Sequence, residues 1–402
     1  MSEIINTYNA RLLGGTFGLE RETLRVTSDG HMAHTPHSFP DDEHIVKDFC
    51  ENQAEINTGV HNTAQGAIDE LSKHSKRLTE ELKKRGERLW LYSNPPIIKN
   101  EDDIPVAVYE GDMQGKHSYR LYLAEKYGKY KMTLSGIHVN YSLSEEMLQN
   151  DFRKSTRGDF VQFKNQAYLR LAQGLTEYGW LINLLLSASP VCDGSYFSPD
   201  RAGEAVLTEY SSVRCGKEGY WNSFTPILSY DNILAYAESI QKYIDGGSLA
   251  GVGELYYPVR LKPRGANRLN NLVQNGVNHI ELRNIDLNPF AESGLDVRDL
   301  QFIELLILWI YSVYNQKLSE TDQIRAVESF KNAALYDIDG AAINEKETLR
   351  ETGLRVLSEM KSFYGETEAI TYQINKLTEQ GARYAEKVSK YLKEKHIQEV
   401  IR

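Results

Sequence analysis

The sequence predicts a soluble protein of mixed helices and strands, organised as one large α/β or α+β domain. Three observations carry this. Stretches with a period-two alternation occur at 17–26, 131–143, 254–262 and 279–287 and read as strands. Helical spacing of apolar residues lies between them and takes over from Asp296 to the end. No internal repeat, low-complexity linker or composition break divides the chain, which leaves residues 1–315 as a sheet-bearing core and 316–402 as a helical part of the same domain.

The stretch Phe17 to Val26 holds two acids and two arginines. As a strand it sets Gly18, Glu20, Glu22, Leu24 and Val26 on one face, so two carboxylates point one way and Arg21 the other. Ser28-Asp29-Gly30 reads as a turn, followed by a loop rich in His, Pro and Asp through Glu43. A second acidic segment, 45–58, contains Asp48 and Glu55. Their spacing is odd, so a turn or bulge after Asp48 is needed before both can face one way. Asn62 or Thr63 caps a helix whose apolar positions are Ala67, Ile68, Leu71, Leu78 and Leu82. Pro95-Pro96 ends the next element, and Asn100 to Asp103 reads as an acidic loop.

Lys131 to Leu143 is the clearest strand, with Ile137, Val139 and Tyr141 on an apolar face and His138 and Asn140 on the other. Asp159 to Leu186 reads as one long buried helix, and Tyr230 to Ile244 as an amphipathic helix stopped by Gly246-Gly247. Glu254 to Lys262 and His279 to Leu287 are two further strands joined by a polar, Asn-rich connection, with Pro289 after the second. The last ~70 residues are polar, charged helices expected to face solvent.

Composition narrows the function classes. Apolar content of 41% with 25% charged residues belongs to a globular chain rather than a disordered one. A net charge of −10 argues against a nucleic-acid surface, yet leaves room for small anions held by local arginines. The most apolar run, Phe302 to Tyr314, contains Glu304 and falls short of the ~18 residues a membrane span needs. Met1 to Leu12 is polar, without a signal-peptide core. Cys50, Cys192 and Cys215 are odd in number and form no CxxC pair, which fits a reducing compartment and neither a disulfide scaffold nor a zinc site. The expectation is a cytoplasmic protein with no nucleic-acid or membrane partner.

Familiar catalytic signals are missing. Gly251-Val252-Gly253 runs into Glu254-Leu255-Tyr256 and breaks the dinucleotide fingerprint, and Gly111 to Lys116 is too short between its glycines for a phosphate loop. His279-Ile280-Glu281 has the shape of a deaminase motif, but no PCxxC follows. HExxH and GxSxG are absent. What remains is a set of acids: Glu20, Glu22, Asp48, Glu55 and Glu281, with His138 as a nitrogen donor. Oxygen-rich sets of this kind suit Mg²⁺ or Mn²⁺. All but Asp48 lie on predicted strands, so one sheet can gather them. Arg21, Arg25, Arg214, Arg260 and Arg283 stand beside them, the residue type suited to carboxylate and phosphate oxygens. Individually each residue is equally at home as an exposed strand rung, a surface arginine or a structural histidine; the recurrence of acids on half-buried strands favours a site.

Five separated motifs in order are similar to those of glutamate–cysteine ligases (γ-glutamylcysteine synthetases). They are Phe17-Gly-Leu-Glu-Arg-Glu-Thr-Leu-Arg25, Asp48-Phe49 with Glu55, Ser135-Gly-Ile-His138-Val-Asn140, Arg214 with Gly219-Tyr220, and Ile280-Glu-Leu-Arg-Asn-Ile-Asp-Leu-Asn-Pro-Phe290. The match is to the bacterial type that also forms the front part of bifunctional glutathione synthases. The resemblance implies an α+β fold related to glutamine synthetase, with a curved, mainly antiparallel sheet forming a funnel backed by helices. It implies activation of the γ-carboxylate of L-glutamate by ATP as an acyl phosphate, then attack by the amino group of L-cysteine. Glu20, Glu22, Asp48, Glu55, His138 and Glu281 would hold Mg²⁺, with Mn²⁺ as a substitute, and ATP would be a co-substrate. Arg283 would meet the transferred phosphoryl group and Arg214 the glutamate α-carboxylate, with Tyr119, Tyr220 and Tyr256 around the cysteine and His138 at the substrate boundary. The chain departs from the pattern at Cys215-Gly-Lys-Glu-Gly219, where family members often carry a Ser-Asp pair. No ATP-grasp segment follows, so a separate glutathione synthetase is expected for the second step. A ligase for another amine, and a non-catalytic binding descendant, are the alternatives.

Overall fold

The computed structural model describes residues 14–394, apart from 110, 156–157 and 344–345. The polar Met1 to Leu12 segment lies outside them. Among the described residues nine strands form: β1 (Thr16–Thr27), β2 (Ile45–Lys47), β3 (Gln53–Asn57), β4 (Glu87–Leu89), β5 (Ile137–Ser142), β6 (Val191–Asp193), β7 (Ala205–Leu207), β8 (Val259–Lys262) and β9 (His279–Ile285). Seven of them make an open antiparallel sheet in the order β2-β3-β1-β5-β9-β8, with β4 against the far end of β1. β6 and β7 pair separately.

Helices α1 (Ala64–Lys83), α2 (Gln114–Tyr127), α3 (Glu145–Lys154), α4 (Phe160–Tyr178), α5 (Trp180–Leu186), α6 (Ile233–Asp245), α7 (Leu269–Asn275) and α8 (Val297–Val313) alternate with the strands. Four more follow: α9 (Glu320–Ala333), α10 (Leu349–Tyr364), α11 (Glu368–Thr378) and α12 (Tyr384–Glu394). No helix among the described residues is long and apolar enough to cross a membrane.

The period of two decides which face is buried. Leu19, Ala54, Ile56, Ile137, Val139, Tyr141, Ile280, Leu282, Val259 and Leu261 share one face and merge into the main core with residues of α1, α4 and α8. The intervening residues stand on the other face and build the site described below. Thr63 caps α1, its hydroxyl accepting from the Gly66 N–H.

Several predicted elements are shorter than their apolar patterns. The strand expected from Lys131 begins only at Ile137, because Lys131–Thr133 is a 3₁₀ turn and the Ser135 N–H is taken by the Ser93 carbonyl at 2.9 Å. The expected strand from Glu254 begins at Val259, since residues 252–254 turn to seat the Glu254 carboxylate in the interior. The helix expected over Asp159–Leu186 breaks at Gly179. A Cβ there would lie 2.4 Å from the Leu175 carbonyl oxygen and 2.6 Å from the Phe330 ring, so only glycine fits at the junction of α4 and α5. The connection between β8 and β9 contains α7.

The C-terminal helices are not simply solvent-facing. Val356, Leu357, Met360, Ile370 and Leu377 join the main core, an apolar stripe hidden in the sequence by the charges around it. Three polar residues of α11 and α12 also converge on the buried Asp299 carboxylate of α8. Lys376 Nζ lies 2.6 Å from Asp299 Oδ1, Gln373 donates at 2.9 Å, and the Tyr384 hydroxyl donates at 2.7 Å to Oδ2. All three cysteines are free and buried. Burial pushes their thiols up, Cys215 to about 12 and the others further.

Replacing Lys376 by Met leaves Asp299 buried without its cation. The expected loss is about 3–5 kcal/mol in urea unfolding, largely recovered in the Lys376→Met, Asp299→Asn double variant because no uncompensated charge remains.

Candidate active site

The face of the sheet opposite the core gathers polar residues from five strands. β1 contributes Glu20 and Glu22, β3 Glu55, β5 His138 and Asn140, β9 Glu281 and Arg283, and β8 Arg260 and Lys262. Register sets the neighbours: Glu22 opposes Glu55, Glu20 opposes His138, and Glu281 lies between Asn140 and Arg260. Asp48 arrives from the turn between β2 and β3. The reversal of chain there resolves the odd spacing of Asp48 and Glu55, and both line the same cavity.

His138 is the hub of this cluster. Its Nδ1 lies 2.8 Å from Glu20 Oε2 and its Nε2 3.3 Å from Glu22 Oε1. Asn140 Nδ2 donates to Glu20 Oε1 at 2.8 Å. One donor atom each of Glu20, His138 and Glu281 falls within 4.8 Å of the others. Glu281 also carries three cations: Lys262 at 3.0 Å, Arg260 at 3.3 Å and Arg283 at 3.5 Å.

The acids are electrostatically unequal. Burial raises the Glu281 pKa, but Arg283, Arg260 and Lys262 outweigh it and hold the carboxyl well below its usual range. For Glu20, burial is likewise outweighed, here chiefly by His138, and its pKa is lowered. Glu55 goes the other way: burial, then Asp48, Glu20 and Glu22, push it well up. Among the described residues no cation sits within ion-pair distance of Glu55. Arg283 works against its burial and stays firmly charged, stabilised by Glu281, Glu22 and Glu20.

A cavity of about 190 Å³ stands over this floor. Its far wall is aromatic: Tyr119 from α2, and Tyr220 and Tyr256 edge to face with ring centroids 5.1 Å apart. Burial pushes all three phenols up, Tyr119 to about 12, so they remain hydroxyl groups at neutral pH. Met132 offers its sulfur to the Tyr220 hydroxyl at 3.7 Å.

Arg214 stands behind this cavity, in a narrow recess shared with Tyr220, Tyr256 and Arg283. Its Nη1 donates to the Arg283 carbonyl at 2.5 Å, and its Nε is buried with no acceptor. Gly136 makes room for it, since a Cβ there would lie 2.4 Å from the guanidinium carbon. Arg21, expected on the opposite face, is there, donating to the Ser75 hydroxyl and the Glu292 carbonyl.

Sequence reasoning named no role for Lys262, Arg120 or Asn140. Lys262 alternates with Leu261 on β8, a visible pattern whose partner, Glu281, is disclosed only by register. Arg120 follows Tyr119 on α2 and holds Asp48 at 3.1 Å; nothing in the helix pattern marks it. A wider groove of about 900 Å³, lined among others by Trp90, Tyr92 and Phe290, gathers no comparable set of carboxylates around a histidine.

Comparison with known proteins agrees with this picture. The family model described as glutamate-cysteine ligase matches residues 2–250 and 247–333. The glutathione biosynthesis bifunctional protein GshAB of Listeria monocytogenes serotype 4b is 34% identical over 369 residues, covering 88% of this chain and 48% of the relative. That of Clostridium perfringens is 34% identical over 355 residues, with 85% and 45% covered. The chain thus spans about half the length of these relatives. A bifunctional glutathione synthetase from Pasteurella multocida superposes with a TM-score of 0.83 at 27% identity, covering 100% of this chain and 53% of that one. A glutamate–cysteine ligase from Francisella tularensis, solved with AMP, shares the fold with a TM-score of 0.83 at 22% identity, covering 97% and 87%. The mixed α+β class is the expected one, and the chain belongs to the glutamate–cysteine ligase family.

Proposed function

We propose that the chain uses ATP to activate the γ-carboxylate of L-glutamate as an acyl phosphate and joins it to the amino group of L-cysteine, the first step of glutathione formation. The observation that carries this reading is the convergence of Glu20, Glu22, Glu55, His138, Glu281 and Arg283 on one sheet face in a chain of this family.

Glu55 tests whether the site fits a divalent metal. A half-buried carboxyl packed against Asp48, Glu20 and Glu22 is pushed well up by burial and by those charges, so a cation placed among them would relieve it. The donor set is five carboxylates and one imidazole, which suits Mg²⁺ and also Mn²⁺. Glu20, Glu22, Asp48, Glu55, His138 and Glu281 would hold the ions. Such ions, when bound, neutralise charge on the phosphate and carboxylate oxygens that must approach each other.

The chain's own groups do the rest. Arg283, fixed between Glu281 and His138, supplies positive charge to the transferred phosphoryl oxygens. Arg214, from the recess it shares with Tyr220, would meet the glutamate α-carboxylate. Tyr119, Tyr220 and Tyr256 form a small wall with protonated hydroxyls, suited to orienting a compact amino acid while excluding water. No protein nucleophile is required.

Glu281→Gln and Arg283→Ala are expected to lower phosphate release by about 10²–10³-fold or more while leaving the circular dichroism spectrum unchanged. Near-normal turnover in either would overturn the placement. In an assay with glutamate and a panel of amines, phosphate release should respond to cysteine; indifference to cysteine with response to another amine would assign a different acceptor.

Glu55 also makes a linked prediction. Between its ordinary pKa of 4.5 and its raised folded value, the folded chain binds more protons at this residue than the unfolded chain. Stability therefore falls as pH rises through that window. In metal-free buffer Glu55→Gln should be more stable than the parent at neutral pH, by urea midpoint, with the gain vanishing below about pH 4.5. Mg²⁺ should raise the parent's midpoint more than the variant's.

A further inference from the structure

At the edge of the sheet where the β2–β3 hairpin meets α1, a second group of ligating side chains converges, built from different chemistry. Glu70 and His74 stand one turn apart on α1, and His44 comes from the residue before β2. One donor atom from each of the three lies within 4.8 Å of the others. We propose that His44, Glu70 and His74 form a binding site for a Zn²⁺-class divalent transition metal, separate from the acid-rich cavity.

Neighbouring bonds decide which atoms of two of the three are free to ligate. His44 Nδ1 lies 2.9 Å from the Asn57 carbonyl. A carbonyl only accepts, so Nδ1 carries the hydrogen and Nε2 keeps its lone pair for the metal. Glu70 Oε2 is occupied twice, by the Gly59 N–H at 2.8 Å and by His61 Nε2 at 2.5 Å. That leaves Oε1 turned toward His74 Nε2, 3.5 Å away.

His74 is the observation that asks for a ligand. It is 5% exposed; its Nδ1 has no hydrogen-bond partner, and its Nε2 meets only the Glu70 carboxylate at 3.5 Å, too long and poorly aligned for a full hydrogen bond. A buried imidazole so weakly partnered is costly unless something supplies the missing bonds. The His44 and His74 rings stack with centroids 4.4 Å apart and planes 22° from parallel, so binding one ion through both in-plane lone pairs requires a ring to turn out of the stack. Bonds of ~2.0–2.1 Å in a tetrahedral site need donors about 3.3 Å apart, so the three must draw in by side-chain rotation. Two imidazoles and one carboxylate leave a fourth position for water. The same donors are poor for Mg²⁺, which prefers oxygen. His61 touches Glu70 rather than the metal position and is a positioning residue.

The test is cobalt titration of the whole chain, stripped with chelator and kept in excess Mg²⁺ to compete at the carboxylates. The expected result is one equivalent of Co²⁺ giving the intense visible bands of four-coordinate cobalt, displaced by Zn²⁺. The bands should persist in Glu281→Gln and disappear in His44→Gln and in His74→Gln, while His61→Gln weakens binding by roughly 10–100-fold. His44 is only half-buried, so its variant serves should His74→Gln not fold. Absence of the bands in the parent chain, their survival in His44→Gln, or their loss in Glu281→Gln would each overturn the proposal.

Discussion

The crowding of carboxylates around His138 is the constraint on which the site depends. Glu20 and Glu22 are adjacent on one strand face, and Glu55 and Glu281 come in from either side. Like charges at this density repel strongly once burial removes solvent screening. The fold answers asymmetrically. Arg260, Lys262 and Arg283 crowd Glu281, while Glu55 is met by further acids. One end of the cluster is thus held ionised by the protein, and the other is left to take up a proton or a cation. The apolar core on the reverse face of the sheet holds these groups in place, so the polar arrangement rests on the packing behind it.

The pairing of β5 with β9 shows how small an irregularity can matter. Ile137 opposes Ile285 and Val139 opposes Leu282, so β9 carries one extra residue between them. Leu282 and Ile285 both reach the core across this bulge, and Arg283 is left on the site face, its Nη1 3.4 Å from His138 Nδ1. The same distortion turns the Arg283 carbonyl to Arg214, tying two arginines together through a backbone group rather than forcing their charges into contact.

Much of this was legible in the sequence, for physical reasons. The alternation along β1, β5 and β9 already separates Glu20, Glu22, His138 and Glu281 from the apolar residues that bury the sheet. The motif order then links strands far apart in the chain. What was not legible is what depends on partners. The strand beginning expected at Lys131 gives way to a bond with Ser93, a residue of another segment. The need for glycine at 179 comes from Phe330, which leaves no room for a side chain there. Lys262 acquires meaning only opposite Glu281, and Arg120 only beside Asp48. The amphipathic stripe of α10 and α11 was outvoted by its charges because composition averages over faces that the fold separates.

The buried cysteines carry a consequence for the chemistry proposed here. An enzyme that admits a free thiol as substrate, in cells where thiols and disulfides exchange, exposes its own cysteines to mixed-disulfide formation. Exchange requires a thiolate with access to the partner sulfur. Cys50, Cys192 and Cys215 are 3% exposed or less, and burial raises the pKa of each thiol, so they offer little thiolate and little access, although Cys215 borders the recess beside Arg214. With cysteine as the proposed substrate, burial thus keeps the chain's own thiols apart from the sulfur that the site would admit.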